Sequence, residues 1–188
     1  MRDISLHLLD IIQNSVKAGA TSIKVIISTD RGKDRLTVSV EDNGCGMDAA
    51  FLQKVMDPFT TTRTTRKVGM GIPLLKESCE ITGGNLVISS TKGVGTALEA
   101  DFILSSIDRI PIGNIGDTFF GLILDRPDIN YRLSFINGEN LFVLDCEELR
   151  NKMDGVSLNE LSICTWIKEW IEEEKKNIFG GILDEIIS

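Results

Sequence analysis

Apolar residues recur along this chain with two periods, and the changes between them predict its elements. Leu8, Leu9, Ile12 and Val16 fall on one side of a helix of period 3.6, while Asp10, Asn14 and Lys17, at i, i+4 and i+7, form a narrow polar stripe opposite. After a turn at Gly19 the period becomes two: Ile23, Val25 and Ile27 alternate with Lys24, Ile26 and Ser28. Beyond the polar turn "RGKDR", Leu36, Val38 and Val40 share one face of a second strand, which runs into a glycine-rich corner at 43–46. A short helix is predicted over 48–55, closed by Pro58, and "FTTTRTTRKVGMG" then shows neither period and reads as a loop. Ile72, Leu75, Cys79 and Ile81 restore helical spacing from Gly71 to the glycines at 83 and 84. "NLVISST" and "TALEADFIL" follow as strands joined by the turn "KGVG".

Around Ser105 the pattern changes. "SSIDRIPIGNIGD" has no periodicity and reads as a junction, which divides the chain into an expected unit 1–104 and a small accessory α+β domain 105–188. In the second, "TFFGLIL" predicts a short helix and "INYRLSFINGENLFVLD" a hairpin around Asn137 and Gly138. "LNELSICTWIKEWIEEEKKN" predicts a helix with Leu161, Trp166, Trp170 and Ile171 turned inward.

Composition narrows the function classes. The net charge of −8 and a pI near 4.7 argue against a general nucleic-acid binder, since no excess of cations is present to displace counterions. Four cysteines in no CxxC pair, with His7 as the single histidine, imply neither a zinc site nor a disulfide framework, and a reduced, cytoplasmic protein is expected. There is no signal-peptide pattern and no apolar run of about 18 residues, so no membrane association is expected.

Three further segments carry candidate chemistry beside the polar stripe. In "EDNGCGM", Gly44 and Gly46 let the backbone approach a flat ligand, and Asp42 at a strand end is placed to accept from an exocyclic amine; the same residues also suit a capped β-turn. In "GMGIPL", free N–H groups at a helix start combine with Arg63, Arg66 and Lys67 into an anion cradle, although glycine opens many helices. "GVGT", residues 93–96, is by itself a hairpin turn, and the stripe of the first helix is by itself a solvated face.

In this order and spacing the four segments resemble the N, G1, G2 and G3 boxes of the superfamily that contains DNA gyrase, heat-shock chaperones, sensor histidine kinases and mismatch-repair ATPases, over about residues 5 to 104. "NSVKAGATSI" and "DNGCGM" are similar to mismatch-repair ATPases, "DPFTTTR" and "GMGIPLLK" to the lid of sensor kinases. The resemblance implies an α/β fold, the α+β two-layer sandwich called the Bergerat ATP-binding fold, with ATP and Mg²⁺ as cofactors. It implies that Asn14 holds Mg²⁺, that Asp42 reads the adenine amine and that Thr96 supports Asp42 through an ordered water. Gly44, Gly46, Gly69 and Gly71 would line the pocket beside Met47 and Met70. Lys17 and the lid residues Phe59, Thr60, Thr61, Arg63 and Lys67 would hold the phosphates.

Asp10 stands where gyrases, chaperones and mismatch-repair ATPases carry a water-positioning glutamate, and is one methylene shorter. It is the candidate catalytic residue, with ATP binding and slow turnover expected. Lys17 falls where sensor kinases commonly have lysine, and the region after 104 is too short for a mismatch-repair transducer domain. These departures favour the kinase-like branch over a DNA machine. His7 lacks the setting of a phosphoacceptor and is expected to be a partly exposed helix residue.

The function implied is a stand-alone ATP-binding protein without a phosphoacceptor domain, either a regulatory kinase acting on a protein partner or substrate in trans, or an ATP-gated switch. A slow ATPase or a non-enzymatic, nucleotide-dependent interaction module is the alternative. The lid is expected to be mobile in the free protein and to be ordered by nucleotide.

Overall fold

The first helix, α1 (Ile4–Lys17), opens at Asp3, whose carboxylate accepts from the Leu6 N–H, and buries Ile4, Leu8, Ile11 and Ile12. What it covers follows from the alternation after it. In β1 (Ser22–Asp30) the side chains of Ile23, Val25 and Ile27 are fully buried, as are those of Leu36 and Val38 in β2 (Arg35–Asp42), so one face of this antiparallel pair is core. α2 (Ala49–Met56) and α3 (Gly71–Ile81) follow, then β3 (Asn85–Thr91) and β4 (Gly95–Ile103). The computed structural model describes residues 2–56 and 71–183.

The remaining elements are α4 (Ile115–Asp125), β5 (Asn130–Asn137), β6 (Asn140–Asp145), α5 (Cys146–Lys152) and α6 (Leu161–Phe179). Among the described residues six strands form one sheet in the order β3-β4-β2-β1-β5-β6, antiparallel throughout except for the parallel pair β1 and β5. Layering helices against a mixed sheet gives the α+β sandwich that the sequence leads one to expect.

The core continues past residue 104. Val25 of β1 pairs in register with Leu133 of β5, and one hydrophobic cluster runs from Ile4 and Phe102 to Phe135 and Phe179. Strands β5 and β6 therefore extend the sheet of β1 to β4. Pro111 and Ile112 also hold the first helix: the N–H groups of Ile4 and Ser5, which have no partner inside α1, donate to their carbonyls at 2.9 Å each. Buried Arg109 fastens the junction to the C-terminal turn by donating to the carbonyls of Leu104, Ile182 and Leu183.

Two other expectations change. α5, seven residues long, has no apolar stripe that would announce it; Asp145 caps it by accepting from the N–H groups of Glu147 and Glu148. In α6 the buried stripe is Cys164, Ile167, Ile171 and Ile178, packed toward α4, β5 and β6. Ile171 is inward as expected and Trp170 is half-buried, whereas Leu161 in the first turn is 65% exposed and Trp166, one position off the stripe, is 46% exposed. Among the described residues no helix is long and apolar enough to cross a membrane.

Candidate functional site

The inner face of the sheet and the helices over it leave a cavity of about 300 Å³ beside the C-terminal end of α1, at the small end of the ~300–1,000 Å³ range usual for small-molecule pockets. Its walls are mostly apolar: Ile11, Val40, Phe51, Ile72, Ile88 and Leu98. Polar groups reach it at few points. Asn14, Ser15 and Lys17 come from α1, Asp42 from the end of β2, Gly46 and Met47 from the glycine corner and Thr96 from the start of β4.

Asp42 is held on both oxygens. Oδ2 accepts from the Ser15 hydroxyl at 2.6 Å and Oδ1 from the Gly44 N–H at 2.8 Å, which fixes the carboxylate plane against the cavity. The corner itself is pinned to the α1–β1 turn. Asn43 Oδ1 accepts from the N–H groups of Thr21 and Ser22, and Cys45 N–H donates to the Ala18 carbonyl. Gly44 is buried here, and a Cβ on it would meet Ala18 Cβ at 3.0 Å, so it supports the cavity from behind without lining it.

Thr96 lies opposite Asp42 in the β2–β4 register. Ser90 joins it to the corner: its oxygen accepts from the Met47 N–H at 2.8 Å and lies 2.9 Å from both Thr96 Oγ1 and the Gly95 carbonyl.

Sequence reasoning missed both serines. Ser15 gave a usable signal: it lies one turn after Ile11 on the buried side of α1, where a hydroxyl needs a partner. Ser90 gave none, since its partners come from the far turn of its own hairpin and from the corner.

Asp10 and Gly71 do not line this cavity, although their neighbours Ile11 and Ile72 do. A Cβ on Gly71 would overlap the Asp10 carboxylate, so the start of α3 sits directly on that side chain. Asp10 Oδ2 is buried and has no hydrogen-bond partner among the described residues. Phe59, Thr60, Thr61, Arg63, Arg66, Lys67, Gly69 and Met70 lie outside the described residues, as does the expected lid movement.

His7, one turn before Asp10, corrects the expectation of partial exposure: its side chain is 1% exposed and neither ring nitrogen makes a hydrogen bond among the described residues. It sits on the α1 face that packs under α3. Burial lowers its pKa, and the Gly71 backbone, Asp3 and Asp10 only partly oppose that shift. The folded protein therefore binds fewer protons here than the unfolded chain, whose histidine titrates near 6.5. The sign follows: this contribution to stability is complete above that value and declines below it, by at most about 1.4 kcal/mol per pH unit. Thermal unfolding should show the melting temperature falling as the pH drops from about 6.5 to 5.5, and the fall should shrink in His7→Leu. An unchanged slope in the variant would assign the loss to other groups.

Fold and cavity together define a sandwich with one carboxylate set into a mostly apolar recess, and comparison with known proteins places that arrangement in a family. Residues 2–106 match the family described as histidine kinase-, DNA gyrase B- and HSP90-like ATPase, and the chain belongs to that family. Over 89 residues it is 35% identical to the signal transduction histidine-protein kinase AtoS of Escherichia coli, a match covering 47% of this chain and 14% of that protein. Over 108 residues it is 33% identical to the sensor protein kinase FleS of Pseudomonas aeruginosa, covering 57% of this chain and 26% of that protein. The chain thus spans a minor part of the length of these relatives. The N-terminal domain of a DNA repair protein shares the fold, with a TM-score of 0.52 and 16% identity over 77% of this chain and 53% of that one.

Proposed function

We propose that the chain binds ATP as its Mg²⁺ complex and presents the terminal phosphate to a protein acceptor, as the nucleotide-binding module of a sensor-kinase type of signalling protein. Asp42 carries this reading. A carboxylate with two fixed hydrogen bonds, in a recess walled by Ile11, Val40, Ile88 and Leu98, suits a flat base bearing an exocyclic amine and disfavours one presenting a carbonyl there. Thr96 and Met47 would border the base, with Lys17 toward the phosphates.

Asn14 fits a hard cation. Its side-chain amide lines the cavity, offers an oxygen and makes no hydrogen bond among the described residues. No group of three or more His, Cys, Asp or Glu able to hold a metal alone occurs among the described residues, so phosphate oxygens and water would complete the coordination. Bound there, Mg²⁺ would neutralise phosphate charge and align the terminal phosphate. Asn14→Ala should abolish the Mg²⁺-dependent part of ATP affinity and spare metal-free ADP binding. Full Mg²⁺-dependent affinity by calorimetry would return Asn14 to the solvated face.

A second reading, an ATP-gated switch with slow hydrolysis, draws support from Asp10. Its Oδ2, without a hydrogen-bond partner among the described residues, points at Gly71, and the residue does not line the cavity, so the carboxylate is poorly placed to activate water over a bound nucleotide. Incubation with γ-labelled ATP and cell extract separates the readings. Label on a protein supports transfer, free phosphate supports hydrolysis, and neither supports the switch.

A further inference from the structure

We infer that β6 and α6 form a docking groove for an extended, basic segment of a partner protein, which adds to the sheet edge as a seventh strand and lays Arg or Lys side chains on Trp166 and Trp170. The strand order ends at β6, whose only sheet neighbour among the described residues is β5. Among the described residues no backbone hydrogen bond outside that pairing involves residues 140–144. Its sequence, "NLFVLD", contains neither the lysine nor the proline that usually protects such an edge, and Leu141 is 62% exposed. An edge of this kind is a template for an added strand.

The helix beside it supplies the side-chain chemistry. Trp170 meets Phe142 of β6 edge-on at 5.1 Å, and Trp166 stacks on Trp170 at 5.2 Å with 21° between the rings, leaving the outer indole exposed. Trp166, Glu169, Trp170 and Glu173 lie at i, i+3, i+4 and i+7, on one face of α6. Glu169 and Glu173 are exposed, and neither forms an ion pair or hydrogen bond among the described residues.

This pattern selects the occupant. An apolar helix would leave two carboxylates unpaired among the rings, and an acidic segment would be repelled by them and by a chain of net charge −8. A guanidinium or ammonium satisfies both features at once, stacking on indole and pairing with glutamate. Alternate side chains of an added strand point to the helix side of the sheet, so a basic residue at every second position matches the spacing.

Trp166 and Trp170 are the chain's only tryptophans, so intrinsic fluorescence reads this surface directly. The whole chain should be titrated with an eight-residue peptide of alternating Arg and Val, with its Glu and Val counterpart, and with an N-methylated Arg and Val peptide that cannot donate along a strand. A saturable change is expected with the first peptide only. Trp166→Ala, read by calorimetry, and Glu169→Gln with Glu173→Gln should each weaken binding by about tenfold, while Glu99→Gln with Asp101→Asn on the sheet should not. Equal binding of the acidic peptide, no binding, or equal loss in the remote variant would overturn the inference. So would concentration-dependent self-association removed by Trp166→Ala, which would give the edge to a second copy of the chain.

Discussion

Asp42→Asn should weaken ADP and ATP binding by more than about tenfold while leaving the melting temperature little changed. The carboxylate takes the Ser15 hydroxyl on one oxygen and the Gly44 N–H on the other. Asparagine can keep only one of these as an acceptor contact, and the Gly44 N–H, fixed by the backbone, claims it. The amide nitrogen is then left beside Ser15, whose hydroxyl can rotate to accept from it. On the proposed reading that nitrogen also faces the adenine amine, donor against donor. An unpaired buried donor costs about 1–3 kcal/mol, and about 1.4 kcal/mol is already tenfold in affinity. Discrimination against guanine nucleotide should shrink in the same variant, because the new amide can donate to a carbonyl where the carboxylate repelled it. Unchanged ADP affinity in Asp42→Asn would remove the adenine assignment, and with it the main support for the nucleotide reading.

What the sequence made legible was local. Alternation in Ile23, Val25 and Ile27 and in Leu36, Val38 and Val40 encodes strands with one buried face, and the helical spacing of Leu8 and Ile12 encodes the cover. Asn14, Lys17, Asp42, Gly46, Met47 and Thr96 come from three separate segments, and the structure gathers them around one cavity. What was not legible depends on contacts remote in sequence. The alternation of Tyr131, Leu133 and Phe135 announces a strand, yet nothing in it says that its partner is β1, more than a hundred residues earlier, and the break in pattern at Ser105 gives no sign that the sheet continues past it. His7 reads as polar and is buried because α3 closes over that turn of α1. Trp166 reads as core and is exposed because the inner stripe of α6 is set by packing against α4 and the sheet edge. Large side chains mark what a chain can bury; tertiary docking decides which of them it does bury.

The β2–β4 closure behind Asp42 should prove intolerant of an added side-chain carbon, and two glycines of one turn test this. Gly93 and Gly95 both belong to "GVGT", and both have positive φ, +81° and +144°. A Cβ on Gly93 meets nothing within 4 Å, so Gly93→Ala bears only the conformational penalty, about 1–2 kcal/mol. A Cβ on Gly95 would overlap the Asp42 carbonyl and crowd Asn43 Cα, and backbone atoms cannot rotate aside as a side chain can. Strain and overpacking each cost about 1–3 kcal/mol, so Gly95→Ala should lose about 3 kcal/mol or more, a fall of roughly 6–12 °C in melting temperature. The displacement starts at Asp42 and Asn43, and Asn43 pins the corner to Thr21 and Ser22. Gly95→Ala should therefore also reduce ADP affinity in whatever fraction stays folded, while Gly93→Ala keeps wild-type affinity. Equal destabilisation by the two substitutions would mean that the turn's conformation, and not the close approach of β4 to Asp42, sets the constraint.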